Sequence, residues 1–427
     1  MKIPLLLFYL LVLFVFAPFI SFISLKTINI AVDNLFSVLI WILFFIVLYV
    51  KEKKGESICF PKYLKFYFAF IIYTILSDVL LVEKEITIKY LYSNRMASFF
   101  LIAIIIDNVR LSKKHIDALL KYITAMVVAS ILVIFIQQFF SRGFFVQLKG
   151  GVLPKYLRPN LYVTMRLPSI YSWTSLLDLG LTFIPFMAIL IANKLSNNKN
   201  KFLWVWYSAG LLFAFFSRAR WVMLNYFILI FIPFYYYKKD FHKKLLNLIF
   251  ILIFVGFSFS VADYFGAPIY EIVQERILEK QKRSLEASSA GTRIFAFYVF
   301  GKLYPKHPVF GTGHKYSADK FTNKDLELTK LLHGKSSQIH VGYLSLFYYY
   351  GIIGGLLFIL SLYYLMKRLY NRAKFTDYWP PFFGFLGFVI ANFTLVNFSL
   401  FHYGLIFLLV FDRYYFLSKN NQINSFA

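Results

Sequence analysis

Apolar runs of about twenty residues recur along the whole chain, and they restrict the fold more than any other feature. Each run is long enough to cross about 30 Å of hydrocarbon as an α-helix. Of the 427 residues, 59% are hydrophobic and only 15% are charged, whereas soluble domains are about a quarter charged. The sequence therefore predicts an all-α polytopic membrane protein with about twelve transmembrane helices. The runs lie at residues 4–24, 28–50, 64–82, 91–107, 118–140, 174–192, 202–217, 221–237, 245–264, 340–366, 380–397 and 399–416.

Short basic loops alternate with these runs and predict the orientation of the helices. With a cytoplasmic N-terminus, five basic loops fall on the cytoplasmic side, the pattern known as the positive-inside rule. Two longer segments, 141–173 and 265–339, then face the periplasm. We therefore expect transmembrane helices 1–9 within residues 1–264. One large, partly helical periplasmic loop follows at 265–339 between helices 9 and 10, and helices 10–12 with a cytoplasmic tail occupy 340–427. The basic loops lie at 51–56, 108–114, 193–201, 238–244 and 366–374.

The formal net charge of +26 raises the question of a nucleic-acid partner. The lysines, however, form short clusters between apolar runs, where they orient helices against an anionic leaflet. We therefore expect membrane lipids and no nucleic acid as partners. A single cysteine, Cys59, excludes an internal disulfide and a cysteine-based metal cage.

Several arginines fall on the predicted periplasmic side. Arg218 and Arg220 occupy the short turn SRAR, and Arg293 precedes an apolar run in the large loop. Arg158 and Arg166 lie in the first outer segment. Guanidinium groups here can simply reach lipid phosphates, but short outer loops are usually poor in basic residues. A bound pyrophosphate is the functional alternative, because guanidinium binds phosphate oxygens in bidentate fashion.

A single histidine, His340, stands where the large loop meets the next apolar run, in SSQIHVGYLSLFYYYGIIGGLLFIL (336–360). It can be an interfacial aromatic with a polar tip. A neutral imidazole, with a pKa of about 6.5, is also the side chain best suited to accept a proton from a hydroxyl. His307, His314 and His333 share the loop, but no accompanying acidic pattern indicates a metal.

Three glycines follow His340 on the same predicted helix: Gly351, Gly354 and Gly355. Their small-xxx-small spacing favours close helix packing, with an indirect role in aiming His340. Acids within apolar runs, at Asp33 and Asp78, together with Asp178, are costly in hydrocarbon. They keep a proton-coupled transporter open as an alternative, although no symmetric pair of broken helices stands out.

The order of these motifs resembles the bacterial O-antigen ligase and polymerase superfamily of polytopic glycosyltransferases. The similar features are HVGYLSLFYYYGIIG, the upstream block GTRIFAFY…HPVFGTGHKYSADKF, the turn FFSRARW and the segment RLPSIYSWTSLLDLGLTFIP (166–185). The resemblance covers roughly residues 120–365. In the ligases the residue after the histidine is usually Asn, Ser or Gln, whereas here it is Val341, which favours the polymerase.

The resemblance implies transfer of a glycan from an undecaprenyl-pyrophosphate carrier on the periplasmic face of the bacterial inner membrane, without a cofactor or metal. Arg218, Arg293 and His340 match the family's catalytic residues. The sequence thus predicts a polymerase of lipid-linked repeat units for O-antigen, capsule or exopolysaccharide, working with a chain-length regulator and a flippase. A ligase that transfers polysaccharide to lipid A-core and a polysaccharide or lipid transporter are the alternatives. The expected substrate-binding residues are Arg158, Arg166, Arg220 and His314.

Overall fold

The described part of the chain is built from helices. The computed structural model describes residues 3–20, 32–82, 94–140, 167, 169–170, 179–196, 203–231, 289–313, 339, 341–393 and 396–424, with isolated positions between 249 and 264. The α-helices in these residues are α1 (Ile3–Val15), α2 (Ala17–Ile20), α3 (Val32–Lys53), α4 (Lys62–Val82), α5 (Arg95–Asn108), α6 (Lys113–Phe139), α7 (Ile184–Ser196), α8 (Leu203–Phe216), α9 (Arg220–Tyr226), α10 (Ser289–Leu303), α11 (Gly342–Thr376), α12 (Pro380–Ala391) and α13 (Tyr403–Asn424). A π-helical turn, Leu179–Phe183, leads into α7, another, Phe227–Phe231, follows α9, and a 3₁₀ turn, Tyr304–Lys306, follows α10.

Four of these helices are long and apolar enough to cross a membrane, and shorter apolar helices accompany them. The prediction of an all-α polytopic membrane protein is therefore confirmed at this level. The count of about twelve spans, the position of the large loop and the division at residues 264 and 339 stay predictions. The four long apolar segments are Asn34–Lys53, Lys62–Leu81, Lys113–Phe139 and Gly342–Thr376.

The turn between α5 and α6 shows how local sequence sets the helix ends. Val109 is extended at the C-cap of α5, and Ser112 is the N-cap of α6, where its hydroxyl accepts from the His115 amide. Serine at this position satisfies one of the amides that a helix start leaves without an intrahelical partner. The basic segment 108–114 therefore contains a short turn that ends α5 and starts α6.

Aromatic side chains dominate the packing between α4 and α11. Phe70 of α4 packs against Tyr350 and Phe358 of α11, with ring centroids 5.8 and 5.0 Å apart. Tilted and edge-to-face pairs of this kind add about 0.5–1.5 kcal/mol each beyond the area they bury. The α4–α11 pair is thus a rigid centre of the bundle.

Three predicted cytoplasmic loops gather at one end of the bundle, which we call the basic end. Asn108 exchanges hydrogen bonds of 2.8 and 2.9 Å with the backbone of Cys59, so the connection between α3 and α4, which begins with segment 51–56, lies beside segment 108–114. Asp107 forms an ion pair with Arg368, which brings in segment 366–374. From Ser112 at this end, the 27 residues of α6 extend about 40 Å to the opposite end.

Candidate active site

The SRAR turn between α8 and α9 holds a buried arginine. Arg218 is only 2% exposed, and its φ of 55° lies in the left-handed region. This conformation costs a non-glycine residue about 1–2 kcal/mol and is concentrated at functional sites. The turn is closed by a bond of 2.9 Å from the Arg218 amide to the Phe215 carbonyl and by the Ser217 hydroxyl, which donates to the Ala214 carbonyl at 2.6 Å. The chain therefore aims a buried cation by means of a strained backbone.

Gln138, at the far end of α6, orients this arginine. The Arg218 Nη2 donates to Gln138 Oε1 at 2.8 Å, and both side chains are buried. An amide is a neutral acceptor, so Gln138 positions the guanidinium without adding negative charge. Because α6 starts at the basic end, Arg218 lies at the end opposite to the basic loops.

The neighbouring residue, Gln137, holds the RLPSIY segment at the same place. The Ser169 amide donates to Gln137 Oε1 at 2.8 Å, and the Ser169 hydroxyl donates to the Ser130 carbonyl at 2.5 Å. The side chains on either side of this turn, Leu167 and Ile170, are fully buried. The end of α6 therefore brings together the SRAR turn and part of the first outer segment, two regions that the sequence assigned to one face.

Residues of α9 fasten the π-helical turn that follows this segment. The Asn225 Nδ2 donates to the Gly180 carbonyl at 2.5 Å, and the Trp221 ring packs directly over Gly180. A side chain at position 180 would overlap the indole, so the contact requires glycine. The SRAR turn is thus braced on both sides: Arg218 contacts α6, and α9, which follows the turn, contacts the π-helical turn Leu179–Phe183.

The other two arginines of the predicted outer set occupy different surroundings. Arg220 is exposed at the first position of α9. Arg293 is half-buried on α10, which packs against α11. Arg218 and Arg293 are held through separate helices, and their convergence on one substrate stays a prediction.

Four of the predicted site residues lie outside the described residues. For His340, the chain on both sides is described: Ile339 and Val341 are buried, and the Ser345 hydroxyl donates to the Ile339 carbonyl. Val341 is the N-cap of α11 without a side-chain cap bond. These contacts anchor the start of α11 directly beside the predicted base. The four predicted site residues outside the described part of the chain are Arg158, Arg166, His314 and His340.

Helix α11 is interrupted at Gly351, where φ is 61° and ψ is −167°. Segment 308–313, from the PVFGTG motif, lies in the gap. A Cβ on Gly351 would overlap the Val309 carbonyl, and a Cβ on Gly311 would overlap the Tyr349 carbonyl. Both glycines are needed because the two backbones approach each other without space for a side chain.

Backbone hydrogen bonds join segment 308–313 to the two halves of α11. The amides of Thr312 and Gly313 donate to the carbonyls of Tyr348 and Tyr349 at 3.1 and 2.8 Å. In the reverse direction, the Ile352 amide donates to the Pro308 carbonyl at 2.9 Å. A helix break in a membrane is tolerated when neighbouring groups satisfy the freed backbone, and segment 308–313 does so here.

The glycines of α11 therefore serve two purposes: Gly354 lets α4 pack closely, and Gly351 makes room for the backbone of segment 308–313. Packing of α4 against α11 is confirmed at Gly354, where a Cβ would lie 2.9 Å from the Tyr73 ring. At Gly351 the expectation of helix packing is wrong, since the close neighbour is the backbone of segment 308–313. Sequence spacing alone does not distinguish a packed glycine from one with positive φ.

Comparison with protein families adds an independent observation. The model of the O-antigen ligase family matches residues 203–359. Residues 203–359, just over a third of the chain, are similar to the O-antigen ligase family and are called the O-antigen ligase domain below. The match begins at the first residue of α8 and ends within α11, so it contains Arg218, Arg293 and His340. No curated protein matches the chain.

The O-antigen ligase domain contains several of the elements described above. It includes the strained SRAR turn, α10, segment 308–313 and the break at Gly351. The match supports a membrane protein of O-antigen ligase or polymerase type. The resemblance inferred from the sequence is therefore confirmed.

Gln137 and Gln138 lie before the O-antigen ligase domain and were not predicted as site residues. A signal for them exists in the sequence, because two adjacent amides at the end of an apolar helix need polar partners in lipid. Their partners could not be identified, since Arg218 lies 80 residues further along the chain. Among the described residues, no three His, Cys, Asp or Glu side chains are grouped closely enough to hold a metal ion.

Proposed function

We propose that this protein polymerises oligosaccharide repeat units that are carried on undecaprenyl pyrophosphate, on the periplasmic face of the bacterial inner membrane. The observation that carries the proposal is Arg218 within the O-antigen ligase domain: a buried arginine in a strained turn, oriented by Gln138. Buried and preoriented cations are suited to stabilise charge that develops on a leaving group.

In the proposed reaction, the hydroxyl of an acceptor sugar attacks the anomeric carbon of the donor. A glycosidic C–O bond forms while the bond from that carbon to the pyrophosphate oxygen breaks. Undecaprenyl pyrophosphate leaves with its negative charge, which Arg218 and Arg293 bind by bidentate hydrogen bonds. His340 accepts the proton of the acceptor hydroxyl. Arg220, Arg158, Arg166 and His314 bind the remainder of the lipid-linked glycan.

The family match favours a ligase as a second candidate, because the matched family is described as O-antigen ligase. Position 341 supports the polymerase, since a buried valine follows His340 where ligases usually carry a polar residue. The two reactions share the donor and differ only in the acceptor. A polymerase uses the terminal sugar of a second lipid-linked glycan, and a ligase uses lipid A-core.

The break in α11 does not favour a transporter. Discontinuous helices in transporters expose their half-helix ends to a substrate or ion. In α11, segment 308–313 bonds to those ends. Two acids that were not singled out in the sequence, Asp107 and Asp412, form ion pairs with Arg368 and Arg372 at the basic end.

The proposal is tested with purified protein in proteoliposomes and purified undecaprenyl-pyrophosphate-linked repeat units. Wild-type protein should form a ladder of longer glycans from this donor alone. The variants Arg218→Ala and His340→Ala should each lower the rate at least about 100-fold, the usual effect of removing a group that stabilises the transition state. Arg218→Lys should restore part of the rate because it keeps the charge.

Acceptor choice distinguishes the two transferase reactions. Glycan transfer that occurs only after lipid A-core is added would identify a ligase. If Arg218→Ala and His340→Ala both kept the wild-type ladder while remaining folded, the proposed site would be wrong.

A further inference from the structure

A second site candidate lies at the basic end, at the opposite end of α6 from Arg218. A cavity of about 170 Å³ is bounded by α1, the turn between α5 and α6, and α13. One water molecule needs only about 10–15 Å³ of such space, so the cavity has room for a polyatomic group. Its polar lining includes Arg110, Ser112, Lys113, Arg413 and Ser418.

The cations around this cavity outnumber the described acids, although Asp107 lies close enough to attract Arg413. Asp107 and Asp412, the buried acids beside the cavity, bind Arg368 and Arg372 instead. Within the described part of the chain, Arg110, Lys113 and Arg413 make no ion pair. The cavity therefore presents an excess of positive charge.

The polar groups that contact the cations of the cavity or its helix end are neutral. With its amide oriented so that its hydrogen bonds are satisfied, Asn421 accepts from Arg110. Ser112 is the N-cap of α6, so the positive end of the α6 dipole lies at the cavity wall. Both features leave the local charge positive and favour an anion.

The other walls of the cavity are apolar. Leu7 of α1, Leu111 of the turn, and Val410 and Leu417 of α13 contribute to them. A cavity with cations on one wall and hydrocarbon on another suits a ligand that has an anionic headgroup and an acyl chain. Basic pockets between transmembrane helices on the cytoplasmic side bind such headgroups.

We propose that this cavity binds the phosphate group of an anionic phospholipid. Arg110 and Lys113, both exposed at the rim, bind the phosphate from the side of the headgroups, and the half-buried Arg413 binds it from within. The apolar wall contacts the first part of the acyl chain. The site lies about 40 Å along α6 from Arg218 and does not depend on the proposed transferase function.

The experiment measures binding of phosphatidylglycerol to the purified full-length protein by native mass spectrometry, with phosphatidylcholine as the zwitterionic comparison. Wild-type protein should retain one phosphatidylglycerol in preference to phosphatidylcholine. The double variant Arg110→Gln/Lys113→Gln should bind it about 25-fold more weakly, since each basic residue near an anionic surface contributes about fivefold. Lys114→Gln, an exposed lysine that does not line the cavity, is the matched control.

A further arm identifies the source of the phosphate. Inorganic phosphate, added at millimolar concentration, should not displace the phosphatidylglycerol. If the protein bound inorganic phosphate but did not retain phosphatidylglycerol, the assignment of the site to a lipid would be overturned. Equal phosphatidylglycerol binding by the double variant and the Lys114→Gln control would overturn the site itself. Arg413→Gln, a change inside the cavity, should also weaken phosphatidylglycerol binding. Arg110 and Lys113 are exposed, so the double variant should fold.

Discussion

Arg218 and Gln138 lie 80 residues apart in the chain and are joined by a hydrogen bond of 2.8 Å in the buried interior. The strained turn between α8 and α9 sets where Arg218 is, and the last turn of α6 sets where its guanidinium points. Gln137 holds the 169–170 turn beside it. One helix end therefore organises two segments of the proposed active site.

The Gln138–Arg218 contact predicts that a change at Gln138 can lower the transfer rate without lowering the stability of the fold. Gln138→Glu should keep the acceptor oxygen and so leave the thermal unfolding temperature near that of the wild type. Its carboxylate should nevertheless compete with the pyrophosphate for Arg218 and lower the transfer rate at least about tenfold. Thermal unfolding in detergent and the glycan ladder measure the two effects. Full activity of Gln138→Glu would show that Arg218 does not bind the leaving group.

The helix break predicts that Gly351 and Gly311 are intolerant of any side chain. Gly351→Ala should destabilise the protein by at least about 1–2 kcal/mol because its φ is positive, and overlap with the Val309 carbonyl adds to this cost. Gly301→Ala on α10 is the matched control. Nothing lies within 4 Å of its Cβ position, and alanine there should be neutral or stabilising by up to about 1 kcal/mol. Similar unfolding temperatures for the two variants would contradict the assigned role of the break.

Comparing two buried serines of α11 distinguishes a residue that positions His340 from one that only stabilises the fold. Ser345 bonds to the Ile339 carbonyl, next to His340, and Ser361 bonds to the Tyr63 carbonyl on α4. Each serine-to-alanine substitution should cost about 0.5–1.5 kcal/mol of stability. Only Ser345→Ala should also lower the transfer rate, with the maximal rate affected more than the apparent donor affinity. A comparable loss of rate in Ser361→Ala would assign the effect to stability alone.

The ion pair between Asp107 and Arg368 predicts that removing one partner destabilises the protein much more than removing both. Asp107 is 4% exposed and Arg368 is 19% exposed at their side chains. Arg368→Met should cost about 3–5 kcal/mol, because it leaves a buried carboxylate without its partner. Adding Asp107→Asn should recover much of that loss.

The pair of Lys51 and Glu56, in which the acid is exposed instead of buried, serves as the comparison for the pair of Asp107 and Arg368. Glu56 is 50% exposed at its side chain, and water screens such a pair so that it contributes little to stability. Lys51→Gln should therefore change the unfolding temperature little. If Arg368→Met had an equally small effect, the buried pair would not be a structural element of the basic end.

The sequence by itself determined the class of protein and the resemblance to the O-antigen ligase family. Apolar runs can be read locally, since a span needs about twenty apolar residues wherever it occurs. The same is true of the histidine and glycine spacing and of the SRAR turn, which together carry the resemblance to the O-antigen ligase family. Each of these features lies within a short stretch of chain.

Only the tertiary structure decided which distant residues support those motifs. The partner of Arg218 is a glutamine on another helix, and the neighbour of Gly351 is a loop backbone rather than a second helix. The cavity at the basic end combines residues from α1, α5, α6 and α13. Contacts of this kind depend on how helices pack against one another, and packing joins residues whose separation along the chain carries no periodic signal.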